Sequence, residues 1–197
     1  RLSYHVALTD GVWNTDSISV GNLDNTSVTL PDGRSYSPAA PYKDSNSSNI
    51  ADLAFDHWRT DLQSGMLNQS PSYSASGNTL PVASWTSTEY WDPKNDPASW
   101  QHLVTYTIGL GLSSSLTNPP YLGSAFASNG SGQGYQQFAS GSATWPTTAA
   151  DAVPGNVYDL WHAAINGRGD FFSAESPRDV YKAFQTILGR ISGRSGS

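Results

Sequence analysis

Tyr4-His5-Val6-Ala7-Leu8-Thr9-Asp10-Gly11-Val12-Trp13-Asn14 is the stretch whose reading decides the fold. It is a short apolar run that stops abruptly in an acid and a glycine, the length of a strand closed by a turn signal. Tyr4, Val6 and Leu8 fall on one face, and His5, Ala7 and Thr9 on the other. Ligands of open α/β sheets bind just past such strand ends. Asp10 is therefore a candidate contact for a metal or ligand, the plainer alternative being a residue that turns the chain. Gly11 permits a turn that a β-carbon would hinder.

The same pattern recurs in His102-Leu103-Val104-Thr105-Tyr106-Thr107-Ile108-Gly109-Leu110-Gly111-Leu112, apolar on both faces as a strand covered on both sides requires. A third strand is expected from Asp170 to Ala174. Helices alternate with these strands. Asn49 with Asp52 signals a helix start, and Ile50, Leu53, Ala54, Trp58 and Leu62 repeat at helical spacing up to Gly65. His57 in this helix reads as a packing or hydrogen-bonded residue. Asn156 and Asp159 signal a second helix, with Val157, Leu160, Trp161, Ala164 and Ile165 as its apolar stripe and Gly167 at its end. Ser176-Pro177-Arg178-Asp179 opens a third, with Val180, Tyr181, Phe184, Ile187, Leu188 and Ile191 as its buried face. Strand and helix in alternation call for an α/β fold with a parallel sheet and right-handed crossovers. Three strands are few for a sheet, so either the loops hide strands or half the sheet is missing. The strand from Tyr4 to Thr9 is expected to be an unpaired edge in this chain, with another chain, a lost segment or a loop against it.

Three irregular tracts separate these elements, at 15–48, 66–99 and 113–153. The first holds one hairpin signal, Ser27-Val28-Thr29-Leu30 before Pro31-Asp32-Gly33. The second carries Trp85, Tyr90 and Trp91, and an Asp92-Pro93-Lys94-Asn95-Asp96-Pro97 stretch that lacks the glycine and glutamate of a calcium loop and reads as a rigid turn. The third is rich in Ser, Gly, Asn, Ala and Thr, with Trp145-Pro146 as its anchor and Gly130-Ser131-Gly132-Gln133-Gly134 as a flexible surface loop. Residues 193–197 read as a linker or tail.

Composition narrows the function classes. Charged residues are 13% and aromatics 12% of 197 residues, so polarity rests on Ser, Thr, Asn, Gln and Gly, as in surface adhesins. A net charge of −6 with ten scattered basic residues speaks against nucleic acid and anionic membranes as partners. The absence of cysteine removes disulfide and thiolate chemistry. No apolar run reaches the length of a membrane helix, and the start at Arg1 reads as a piece cut from a longer, exported precursor. Gly-x-Ser-x-Gly, His-Glu-x-x-His and Walker motifs are absent, and the expectation is a non-enzymatic protein.

Thr9-Asp10-Gly11 on the first strand, Thr107-Ile108-Gly109-Leu110-Gly111 on the second, and Phe171-Phe172-Ser173-Ala174 leading to the last helix resemble the second half of a von Willebrand factor A domain. More narrowly, Thr9 through Asn14, Ala51 through Ala54 with Trp58 through Leu62, Trp100 through Tyr106, and Asp159 through Gly169 resemble the PilY family, the type IV pilus tip adhesins and assembly factors of bacteria. The resemblance implies a Rossmann-like A-type domain, partial in residues 1–192, placed outside the cell at the pilus tip or outer membrane. It implies Mg²⁺ or another divalent cation at the strand tips of the complete domain, held by an Asp-x-Ser-x-Ser loop, a threonine and an aspartate that Asp10 matches. Asp-x-Ser-x-Ser occurs nowhere in this chain, so Asp10 is one part of an incomplete site whose partners would lie upstream of Arg1, and no cation is expected on this chain alone. The implied partners are pilus proteins such as minor pilins, a host receptor, and the amino-terminal half of the domain. Arg168-Gly169-Asp170 is an integrin-recognition tripeptide placed between the second helix and the third strand. It is a candidate ligand for an integrin, or else an ordinary helix-ending turn. The rival reading is a secreted carbohydrate-binding or carbohydrate-cleaving protein that uses the loop tryptophans and tyrosines.

Overall fold

The structure, a computed structural model, describes residues 2–11, 18–128, 133–148 and 154–195. Val12, Trp13 and Asn14 of the opening stretch, and Gly130 through Gly132 of the glycine-rich loop, lie outside the described residues.

The expected three strands form one parallel sheet in the order β1 (Ser3–Thr9), β4 (Leu103–Leu110), β5 (Arg168–Ala174). β1 runs beside β4 in unbroken register from Ser3↔Leu103 to Thr9↔Gly109. The hairpin signal in the first tract gives a small antiparallel pair, β2 (Val28–Thr29) and β3 (Ser35–Tyr36). The outer edge of β1 has no strand against it among the described residues, as the sequence leads one to expect.

Helices cover both faces of the sheet. α1 (Ile50–Arg59) and α4 (Pro154–Asn166) pack together on one side, where Thr107 Oγ1 donates to the Leu160 carbonyl of α4. α5 (Pro177–Ser195) lies on the other, over Val104, Tyr106, Ile108 and Ala174. The α4 stripe predicted from the sequence is fully buried, from Val157 through Ile165. Asn49 and Asp52 form the expected capping box on α1, and Ser176 caps α5 through the Asp179 backbone N–H.

Several boundaries shift. α1 stops at Arg59 rather than near Leu62, and His57 is exposed instead of packed. α4 begins at Pro154, so Asn156 lies inside it. Asp159 caps not its own helix but α1, accepting from the Ile50 and Ala51 N–H groups at 2.9 and 3.0 Å. α5 continues through residues 193–195, which the sequence suggests as linker, because Arg194 is buried and bonded there. Its apolar face is only half covered: Ala183 and Ile187 are buried, whereas Tyr181 and Leu188 are each 63% exposed.

The long tracts are less irregular than their composition suggests. α2 (Ser87–Trp91) and α3 (Tyr135–Ser140) form within them, Tyr90, Phe138 and Trp145 join the main core with Trp58, Trp100 and Trp161, and Trp85 is buried outside that cluster. Trp145 serves as the expected anchor, its ring stacked on Phe138 at 3.8 Å and on His162 at 4.3 Å. Burial removes the faces of Trp85, Tyr90 and Trp145 from solvent, whereas Tyr73, Trp91, Tyr121 and Tyr135 are half-buried, so fewer loop aromatics are left for the carbohydrate reading.

The β4–β5 pairing carries a bulge. Thr105 pairs with Arg168 and Thr107 with Phe171, so two residues of β5, Gly169 and Asp170, oppose the single Tyr106 of β4. Gly169 sits in this irregularity, where a β-carbon would lie 2.0 Å from the Thr105 carbonyl oxygen. Only glycine fits so close an approach.

Candidate functional site

Asp10 follows the last residue of β1 at the carboxyl edge of the sheet and is exposed. Gly11 turns the chain there with φ +73°, and its N–H donates to Thr9 Oγ1 at 3.0 Å. The expected turn and the expected carboxylate at the strand tip are therefore both present. Gly111, at the end of β4, makes the matching turn at φ +69°.

Arg168-Gly169-Asp170 is placed differently from the sequence expectation. It is not a surface turn but the buried beginning of β5, with Arg168 and Asp170 each 1% exposed. The Arg168 guanidinium lies over the Trp58 and Tyr42 rings at 4.2 and 4.7 Å and donates to the Tyr42 hydroxyl and to the Asp92 carbonyl. Asp170 accepts from the Ala125 and Phe171 N–H groups and pairs with Arg190 at 2.6 Å. A receptor would have to unfold the sheet to reach the tripeptide, so it is structural here.

Two buried ionic clusters went unrecognised in the sequence. In the first, Asp96 accepts from Trp58 Nε1 and from Arg194 Nη1 and pairs with His102 Nε2 at 2.9 Å. It joins the second tract, β4 and the last turn of α5. Burial disfavours its charge, but His102 and Arg194 together hold its carboxyl well below the ordinary range. His102 loses by burial and gains more from Asp96, so its pKa is raised.

The second cluster lies where the first tract folds over α1 and α4. His162 of α4 stands between two acids, Nε2 3.5 Å from Asp24 and Nδ1 3.4 Å from Asp44. Its Nε2 also meets the Tyr42 carbonyl at 2.5 Å. Asp24 accepts from Asn166 Nδ2 and from the Asp44 N–H, and Asp44 accepts from Asn46 and Asn49. Burial pushes Asp24 up to about 7, with His162 opposing and Asp44 and Asp52 adding to the shift. Burial also pushes Asp159 up to about 6 against the N–H groups of α1. The one signal in the sequence for either cluster was acids and asparagines in tracts that composition marks as loops.

These shifts set a direction for stability. Asp24 and Asp159 bind protons more tightly folded than at the unfolded value of about 3.9, so their contribution is full near pH 4 and is lost as pH rises through about 6 and 7. His102, also raised, acts in the same sense. Asp96, lowered, contributes above about pH 4 and loses that contribution as pH falls further. The melting temperature in EDTA is expected to rise by several degrees from pH 8 to pH 5 and to fall below pH 4. A maximum at pH 7 to 8 in circular-dichroism melts would contradict this account.

No family model and no solved structure matches the chain. Three curated relatives do. The type IV pilus biogenesis factor PilY1 of Pseudomonas aeruginosa strain UCBPP-PA14 is 50% identical over 202 residues, which cover 100% of this chain and 16% of that protein. PilY1 of strain PAK is 50% identical over 194 residues, covering 98% of this chain and 16% of its own length. The chain belongs to the PilY family. PilY1 of strain PAO1 aligns over the same shares at 49% identity. The chain thus spans 16% of the length of the PilY1 proteins it matches, and the resemblance drawn from its sequence motifs extends over its whole length. No helix among the described residues is long and apolar enough to cross a membrane.

Proposed function

We propose that this PilY-family chain works outside the cell in type IV pilus biogenesis and adhesion, as the carboxyl half of a von Willebrand factor A-type domain. The observation that carries the reading is 50% identity, over the whole chain, to proteins named type IV pilus biogenesis factor PilY1. The half-domain reading has physical support of its own. Among the described residues no strand pairs with the outer edge of β1, and Tyr181 and Leu188 on α5 offer an apolar surface on another layer. A further strand and helix from the rest of the domain would cover both. The groove lined by His5, Ile50, Leu53, His57 and Leu103 lies along the same open flank.

Within the complete domain Asp10 would supply one carboxylate to a divalent cation at the strand tips. It fits that part: it is an exposed hard oxygen donor at the carboxyl edge, held by a glycine turn. The remaining ligands are not among this chain's motifs. A cation bound there would accept an acidic group from a pilus protein or a host receptor. In a protein that carries the preceding part of the domain, Asp10→Ala is expected to weaken Mg²⁺ binding by about tenfold or more in calorimetry. Unchanged Mg²⁺ affinity in the folded variant would overturn the strand-tip role and leave the pilus assignment standing.

A further inference from the structure

The His162 ring is 1% exposed and its two nitrogens are unequal. Nε2 donates to the Tyr42 carbonyl, which fixes the proton on that nitrogen. Nδ1 has no hydrogen-bond partner, yet it faces the Asp44 carboxylate at 3.4 Å. Burial disfavours a charged ring, but without an ion the two carboxylates outweigh it and favour protonation, raising the His162 pKa, yet 3.4 Å is longer than the about 2.8 Å of a charged N–H···O bond. A metal ion would replace that proton and bridge the pair. Bonds of about 2.0–2.1 Å at a tetrahedral angle hold two donor atoms about 3.3 Å apart. Asp24, Asp44 and His162 each bring a donor atom within 4.8 Å of the other two.

The surroundings are those of a metal ligand set. A ligating histidine donates its other N–H to a backbone carbonyl or carboxylate, and ligating carboxylates are themselves held by hydrogen bonds. Tyr42 does the first, while Asn46 and Asn49 on Asp44 and Asn166 on Asp24 do the second. The Asn166 side-chain oxygen, buried in the same cluster, has no partner. The Asp52 carboxylate accepts from the Leu23, Asp24 and Asn49 N–H groups and that of Asp159 from the Ile50 and Ala51 N–H groups, so two carboxylates and one imidazole remain for an ion.

We infer that Asp24, Asp44 and His162 form a buried structural site for a divalent transition metal, with Zn²⁺ the best match to one imidazole and two carboxylates. The ion clamps the first irregular tract, through Asp24 and Asp44, onto α4. The site shares no residue with the strand tip at Asp10 and does not depend on that assignment. Imidazole favours zinc over Mg²⁺ or Ca²⁺, which take oxygen donors.

The test is metal content by mass spectrometry of the protein that carries this chain with the preceding part of the domain, loaded with Zn²⁺ and freed of excess ion, together with the absorption spectrum of the Co²⁺ form. One equivalent of Zn²⁺ per chain is expected, with intense visible Co²⁺ bands of tetrahedral character that Zn²⁺ abolishes. His162→Gln and Asp44→Asn should lower the content below about a tenth of an equivalent. The double variant His5→Ala/His57→Ala, which removes the two surface histidines of the open flank, should keep it. Should the cluster variants fail to fold, the ¹⁵N resonances of the His162 ring in the wild-type chain decide, since Zn²⁺ must shift Nδ1. Substoichiometric metal in the folded wild-type chain overturns the proposal. So does full binding in folded His162→Gln, loss of binding in the His5→Ala/His57→Ala variant, or an unshifted His162 resonance.

Discussion

Arg168→Ala is expected to destabilise the domain by about 4 kcal/mol, enough to unfold much of the population at 37 °C. Three losses add in one place. The guanidinium leaves the faces of Trp58 and Tyr42, a desolvated cation–π contact of about 2 kcal/mol. The Tyr42 hydroxyl and the Asp92 carbonyl lose a charged donor. A cavity opens beneath a side chain that is 1% exposed. Arg168→Lys keeps the charge but not the planar fork, and about half the loss is expected. Urea unfolding followed by tryptophan fluorescence measures both. A midpoint within experimental error of wild type would show that the tripeptide is not packed as described. The result bears on any adhesion assay, because substitutions in Arg168-Gly169-Asp170 would abolish binding by unfolding the sheet, whether or not a receptor reads the motif.

Asp96→Ala follows, with an expected cost of about 3–5 kcal/mol. The carboxylate is 1% exposed and compensates two cations in the same pocket, His102 and Arg194. Removal leaves Arg194, itself 4% exposed, without its counter-charge. Trp58 Nε1 loses its acceptor as well. A double-mutant cycle separates this coupling from general damage. Asp96→Ala and Arg194→Met are expected to depart from additivity by about 1–3 kcal/mol, because Arg194 has less to lose once Asp96 is gone. Additivity within about 0.5 kcal/mol would sink the claim that the last turn of α5 is fastened through Asp96. The cycle also tests the boundary at residues 193–195, which read as tail in the sequence and are helix in the structure.

The legible parts of this chain were those whose signals are local. Alternation in Tyr4 through Thr9 and in Leu103 through Leu110 marks strands because successive side chains point to opposite faces. Asn49-x-x-Asp52 and Ser176-x-x-Asp179 mark helix starts because the side chains satisfy backbone groups within one turn. Apolar spacing on α4 was read correctly for the same reason. On α5 the spacing marked a wider face than is covered, since periodicity shows which side is apolar and not whether a partner is present. The burial of Arg168 and Asp170, the loop tryptophans in the core and both ionic clusters were not legible.

The sequence by itself determined the parallel α/β order, the carboxylate at the tip of β1 and the family, through motifs that lie within a few residues of one another. The tertiary structure alone decided which polar residues are buried together. Asp24 meets Asn166 across 142 residues of chain, and Asp96 meets Arg194 across 98. No local pattern encodes such a meeting. A charged side chain in a Ser- and Asn-rich tract is written the same way whether it faces water or a histidine, and only the packing of distant elements around it sets its dielectric, its partners and its role.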